Sequence, residues 1–216
     1  MLNKYTKHGE RLITCGECLV EGLSWLIESE PKFSMAADLT GPLPLRLRQD
    51  GFKQVLHTII SQQLSLKAAK AIWLRLEKVG IVTPAAIKLA GDDALRKCGL
   101  SKQKIGYLRA LSESNLDYLA LREMETNEVI NTLTKISGIG VWTAEIYAMF
   151  SLGRADIFPA GDLALKQGAR LLFGLDDKPS ENKLRTISDY WSPWRTVAAQ
   201  LLWAYYSKVK IREGIK

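Results

Sequence analysis

Two stretches of the sequence place reactive or ligand-holding atoms at defined spacing. The first is Ser137-Gly138-Ile139-Gly140-Val141-Trp142-Thr143-Ala144, where one apolar helical pattern runs into Gly138 and another resumes after Gly140. Two glycines there permit a tight turn, and the second helix begins with N–H groups that have no intrahelical acceptor. Such an end attracts anions. Backbone donors read no base, so a nucleic-acid phosphate held there is positioned without being identified. Leu133 and Ile136 before the turn, and the Trp-Thr-Ala entry into an apolar helix after it, make the stretch more specific than a bare Gly-x-Gly. The second is Phe158-Pro159-Ala160-Gly161-Asp162-Leu163, whose carboxylate heads an amphipathic run 20 residues after Trp142. By itself Asp162 reads as a helix N-cap. The spacing suits a helix, a turn and a return to one cleft.

The elements that position these atoms are helical. Apolar residues recur at three- and four-residue steps, and two-residue alternation is scarce, so the expected fold is all-α. The patterns predict helices over about 10–29, 52–61, 66–79, 102–119, 126–135, 142–151, 162–173, 181–190 and 193–207. Thr83-Pro84 and Ser192-Pro193 each offer an N-cap followed by proline in the first turn, Gly99 ends a helix, and Ser101 caps the next. Gly41, Pro42 and Pro44 mark 39–51 as a linker. The expected organisation is an N-terminal helix and linker over 1–51 packing onto the C-terminal helices, a central helical subdomain over 52–155, and C-terminal helices over 156–216.

Composition bounds the function loosely. Thirty Lys and Arg against 23 Asp and Glu give a net charge of +7, a field that favours a polyanionic partner without requiring one. Three cysteines argue against a disulfide framework. Cys15 and Cys18 form a C-x-x-C, but only Cys98, His8 and His57 could complete a zinc set, so the pair reads as two small residues on a helix. No apolar run reaches membrane-spanning length and no signal peptide is evident. The expected location is inside the cell: cytoplasmic in a bacterium, nuclear in a eukaryote.

The hairpin resembles the helix-hairpin-helix motif of the DNA glycosylase superfamily, in which a glycine-rich hairpin is followed by a Gly/Pro-rich loop and a catalytic aspartate. Ile60-Ser-Gln-Gln-Leu-Ser-Leu-Lys-Ala-Ala69 and Pro193-Trp-Arg-Thr196 resemble further signatures of the same superfamily, in the same order. The resemblance implies two helical subdomains flanking an active-site cleft. It makes Asp162 the catalytic residue, Gln63 (with Gln62 beside it) the wedge that enters the DNA stack, and Gly138, Ile139, Gly140 and Val141 the phosphate-binding hairpin. Many relatives carry a second acidic residue before the catalytic one; here it is Gly161. Trp142, Trp203 and Tyr147 become candidates for the base pocket, since an indole face attracts a cationic purine.

The lysine that gives bifunctional members their strand-cutting chemistry is Trp142 here, and no cysteine follows Cys98 for an iron–sulfur cluster. The resemblance therefore implies a monofunctional enzyme for alkylated purines of the 3-methyladenine and 7-methylguanine type. It would act as a monomer on double-stranded DNA containing alkylated bases, away from membranes, with no required cofactor. A structural Na+ or K+ on the main-chain carbonyls of Thr134, Ile136 and Ile139 is implied only by the resemblance. A glycosylase for deaminated or oxidised bases, and a non-catalytic binder of damaged or abasic DNA, remain as alternatives.

Overall fold

The computed structural model describes residues 4–213, and over these the fold is all-α, with isolated β-bridges at Tyr5–Arg11 and Leu12–Arg154. The described residues form two compact units, one of those up to Leu47 and from Gly153 onward and one of 48–152.

The first unit holds α1 (Gly16–Ser29), α2 (Lys32–Thr40), α11 (Leu163–Phe173), α12 (Glu181–Asp189) and α13 (Arg195–Glu213). Helix α13 packs along α11, α2 and α1. A Cβ at Gly168 would lie 2.9 Å from the Leu202 carbonyl oxygen, so α11 and α13 can approach this closely only because no side chain intervenes. Phe33, Phe158, Phe173 and Trp191 form an aromatic cluster, with Phe158 meeting Trp191 edge-on at 5.2 Å and Phe173 stacked on it at 5.6 Å. Arg154 is 1% exposed and pairs with Glu10 at 2.6 Å, which ties the N-terminal segment to the chain entering the 158–162 loop.

The second unit holds α3 (Phe52–Ser61), α4 (Leu66–Lys78), α5 (Pro84–Leu89), α6 (Asp92–Lys97), α7 (Lys102–Glu113), α8 (Tyr118–Glu123), α9 (Thr126–Thr134) and α10 (Val141–Phe150). Its core is aliphatic, including Leu56, Ile59, Ile60, Leu76, Leu108, Leu121, Val129 and Leu133, all fully buried. Burying each such side chain contributes on the order of 1.5–3 kcal/mol.

The expected helix ends hold at Thr83 and Ser101, whose hydroxyls accept from Ala86 N and Lys104 N. Four expectations need correction. The 10–29 helix starts only at Gly16, because Tyr5 to Ile13 is engaged in bridges and in a bond from Ile13 N to Gly153 O. Between the expected N-terminal helix and the 39–51 linker lies a further helix, α2, set off from α1 by Pro31, which cannot continue a helix, and running to Thr40. The single helix expected over 102–119 is two. Asn115 takes a left-handed φ of 47°, and Asp117 then caps α8 through Leu119 N and Ala120 N. Ser192-Pro193 does not open α13: the Ser192 hydroxyl donates to Asp156, and the helix begins at Arg195 and runs to Glu213.

Candidate functional site

In the hairpin the two glycines serve different ends. Gly138 has φ +91°, and a Cβ there would fall 2.3 Å from the Tyr107 ring. Gly140 has φ −85°, which any residue adopts, and a Cβ there would meet nothing within 4 Å. Gly138 is thus required by the fold itself, whereas bareness at Gly140 matters only to something approaching from outside. Gly140 is the N-cap of α10 and has no side chain to occupy the first-turn N–H groups. Ser65, Thr83, Ser101, Asp117, Asp162 and Ser180 do cap their helices. Val141 and Trp142, in the same first turn, are 50% and 41% exposed, so the dipole end carries an accessible apolar and aromatic rim.

Helix α10 is otherwise buried from Thr143 to Phe150. Tyr147 lies in that buried stretch, 4% exposed, with its hydroxyl accepting from Gly51 N at 3.0 Å. Burial pushes its phenol up to about 12. The structure gives it a packing position that fastens α10 to the start of α3.

The turn between α3 and α4 carries Gln62 and Gln63. Gln63 is exposed with φ +56°, an uncommon conformation for a residue other than glycine, asparagine or aspartate. Gln62 points to the hairpin instead: its side-chain amide donates to Gly138 O at 2.9 Å and to Thr143 Oγ1 at 3.3 Å.

Asp162 is the N-cap of α11, and three donors converge on its Oδ1: Ala164 N at 2.9 Å, Leu165 N at 3.0 Å and Trp203 Nε1 at 3.1 Å. The N-cap reading and a chemical role are therefore compatible, since the cap bonds and the indole fix one oxygen. Trp203 is brought to Asp162 as a hydrogen-bond donor, a role its sequence position did not reveal.

The chain leading to Asp162 is held by residues that sequence reasoning left without a role. Arg195 grips Asp156 with two bonds, Nε to Oδ1 at 2.7 Å and Nη2 to Oδ2 at 3.0 Å, while Ser192 adds a third at 2.7 Å. Thr196, fully buried, donates its hydroxyl to Arg154 O at 2.8 Å and accepts from Ile157 N at 3.3 Å. Trp194 is buried, with the Arg11 guanidinium 4.4 Å above its ring. Pro193-Trp-Arg-Thr is thus a clamp on residues 154–157. Further along, Arg185 donates to Phe158 O at 3.4 Å and pairs with Glu181, whose carboxylate fills the space a Cβ at Gly161 would enter, 3.2 Å away. The motif itself was the available signal; its target, Asp156, had none.

Cys15 and Cys18 lie at the start of α1 with their sulfurs 3.5 Å apart, and no cluster of three or more His, Cys, Asp or Glu suited to a metal occurs among the described residues. Among the same residues no helix is long and apolar enough to cross a membrane.

An all-helical fold carrying a hairpin of this build and a fixed aspartate defines a helix-hairpin-helix repair protein. Residues 56–193 match the family of HhH-GPD superfamily base excision DNA repair proteins, and the chain belongs to it. DNA-3-methyladenine glycosylase 1 of Schizosaccharomyces pombe is 33% identical over 165 residues, 72% of this chain and 72% of that protein. In structure, a DNA-3-methyladenine glycosidase from Bacillus halodurans superposes with a TM-score of 0.79 at 34% identity, covering 93% of this chain and 94% of that one. A Schizosaccharomyces pombe 3-methyladenine DNA glycosylase in complex with abasic DNA gives 0.74 at 30% identity, covering 85% and 95%.

Proposed function

We propose that this chain is a monofunctional glycosylase of the DNA-3-methyladenine glycosylase II kind, a monomer that hydrolyses the N-glycosidic bond of alkylated purines in double-stranded DNA. The observation that carries the reading is the Asp162 carboxylate, held by two backbone donors and an indole N–H. As the base leaves, positive charge builds on the sugar, and a fixed carboxylate stabilises it and orients the attacking water. A purine alkylated at N3 or N7 is already cationic and a good leaving group. It needs little general acid, and an exposed indole such as Trp142 attracts it by stacking and cation–π interaction. The hairpin Gly138–Val141 holds a phosphate at the N-terminus of α10, through N–H groups other than that of Ile139, which is bonded to Ile136 O, and Gln63 fills the stack vacated by the flipped nucleotide. Trp142, at the lysine position of bifunctional relatives, has no amine to form a Schiff base, so the abasic strand is left intact.

By the same resemblance, the main-chain carbonyls of Thr134, Ile136 and Ile139 would hold a monovalent cation. Thr134 and Ile136 lie at and just beyond the C-terminal end of α9, where peptide dipoles leave partial negative charge, and Ile139 N donates to Ile136 O at 3.0 Å, closing the turn between these two residues. Such an ion would add positive charge behind the phosphate-binding turn.

The test is base release by purified protein from DNA carrying methylated purines, deaminated bases or oxidised purines, run in parallel for wild type and Asp162→Asn. Asparagine keeps the cap, so a loss reports charge rather than folding. Methylated purines are expected to be released without strand cleavage, and Asp162→Asn to be slower by at least about a hundredfold. Near-wild-type release by the variant removes Asp162 from the mechanism. Equal release of uncharged bases establishes the other lesion class, and borohydride trapping of a covalent adduct overturns the monofunctional reading.

A further inference from the structure

The turn from Ser61 to Leu64 has the geometry of a type II β-turn. Gln62 has φ −54° and ψ 132°, Gln63 has φ +56°, and Leu64 N donates to Ser61 O at 3.3 Å. Type II differs from the commoner type I by a flip of the central peptide, here the one joining Gln62 to Gln63, and its third position normally takes glycine or asparagine. Glutamine there is strained, so something outside the turn must favour the flipped peptide.

Lys104, on α7, is placed to do so. Its ammonium donates to Gln62 O, the carbonyl of the flipped peptide, at 2.7 Å, and also to Ile60 O at the end of α3. Two carbonyls at a helix C-terminus suit a cation. The ammonium is partly buried, and desolvation lowers its pKa, so the contact is not an idle surface one. The same turn is bonded to the hairpin through the Gln62 amide on Gly138 O. Tyr107, one turn along α7 from Lys104, packs against Gly138. A single face of α7 thus underlies both the phosphate-binding turn and the turn that presents Gln63.

We propose that Lys104 is a positioning residue for base flipping: it holds the Gln62–Gln63 peptide in its flipped orientation and so aims the Gln63 side chain. This rests on the reading of Gln63 as the residue that enters the stack. Without the ammonium, the central peptide relaxes toward type I, Gln63 returns to right-handed φ, and its side chain leaves its aim while the hairpin still grips phosphate.

The experiment is single-turnover release of a methylated purine at saturating enzyme, from a matched duplex and from the same base in a destabilised mismatch. The variants are Lys104→Met, Lys104→Arg, Gln63→Ala and the Lys104→Met/Gln63→Ala double. Lys104→Met is expected to slow the matched duplex about tenfold and to change the mismatch by no more than about twofold, where little stack needs opening. Lys104→Arg should restore part of the loss, and the double variant should be no slower than Gln63→Ala alone. NMR of the Gln63 backbone should report a change in φ in Lys104→Met. If Gln63→Ala has no duplex-selective effect, the wedge reading fails and takes the proposal with it. If Gln63→Ala is duplex-selective while Lys104→Met slows both substrates equally, adds fully to Gln63→Ala or leaves φ at Gln63 unchanged, the wedge reading stands and the proposal is overturned.

Discussion

The hairpin Ser137–Val141 holds its shape with backbone and a missing side chain, whereas the loop Phe158–Asp162 is held by side chains arriving from α12 and α13. In the hairpin the decisive facts are a positive φ and an absent Cβ at Gly138, with the Tyr107 ring filling the space beneath. In the loop they are the Arg195–Asp156 pair, the buried Thr196 hydroxyl and the Trp203 indole, each some 40 residues along the chain from the group it holds. A site built from backbone dipoles can be specified locally. A carboxylate whose one oxygen must receive three donors is specified by tertiary structure.

The largest effect that separates the two regions is expected at Gly138. Gly138→Ala places a methyl within the Tyr107 ring and forces an L-residue to φ +91°, which together cost about 3 kcal/mol of stability. Chemical denaturation measures it, and Tyr107→Ala in the same chain should recover only the steric part. A loss below about 1 kcal/mol would mean that the hairpin yields easily and does not own its shape.

The next effect tests whether the hairpin's own unit is as self-sufficient as its turn. Tyr147 ties α10 to Gly51, and burial raises its pKa from 10 to about 12. Tyr118 is shifted in the same direction by burial and by the Tyr147 charge. A group whose folded pKa is raised contributes stability that is fully present below its unfolded pKa and lost as pH rises through the folded one. Stability should therefore fall above pH 10, with Tyr147 accounting for about 2–3 kcal/mol of the loss by pH 12. Tyr147→Phe should flatten part of that slope while leaving the Tyr118 share. An unchanged alkaline slope in Tyr147→Phe would place the titration elsewhere.

What the sequence disclosed follows the same division. Caps and breakers act within a few residues, so Thr83, Ser101 and the hairpin glycines were legible, as were most helix spans. Where a local signal had two readings, tertiary structure chose between them: Ser192-Pro193 looks like a helix start, yet the Ser192 hydroxyl goes to Asp156. Asn115 breaks a helix that periodicity carries through, because asparagine tolerates left-handed φ and Asp117 offers a competing cap. Tyr147 could not be oriented from pattern, since α10 is buried from Thr143 to Phe150 and has no polar side to set a face. Asp156 and Lys104 gave no signal at all, because their partners are carbonyls and side chains that only the fold brings near.

On the loop side, Arg195→Ala should cost about 2 kcal/mol by removing a two-pronged, partly buried partner of Asp156. The same variant should slow base release, because residues 154–157 lead directly into the loop that carries Asp162. Loss of stability with unchanged release would show that the clamp holds the fold but not the carboxylate, and the contrast with the hairpin would weaken accordingly.

The smallest effect is the most discriminating. Trp203→Phe keeps an aromatic ring on α13 and removes only the N–H that reaches Asp162 Oδ1. If the indole's task is to orient the carboxylate, single-turnover release should fall about tenfold, the size of a hydrogen bond to a charged group, with DNA affinity unchanged. The two backbone bonds from Ala164 and Leu165 still hold Oδ1, so the variant removes the indole bond alone and the loss stays well short of that in Asp162→Asn. If the indole is instead a stacking surface for the base, phenylalanine supplies a smaller and less electron-rich face. Binding of DNA with a flipped alkylated purine would then weaken along with the rate. A fall in rate alone supports a loop tuned by a distant side chain, a fall in both assigns Trp203 to the pocket, and no change in either would mean that the backbone alone fixes Asp162, as it does the hairpin.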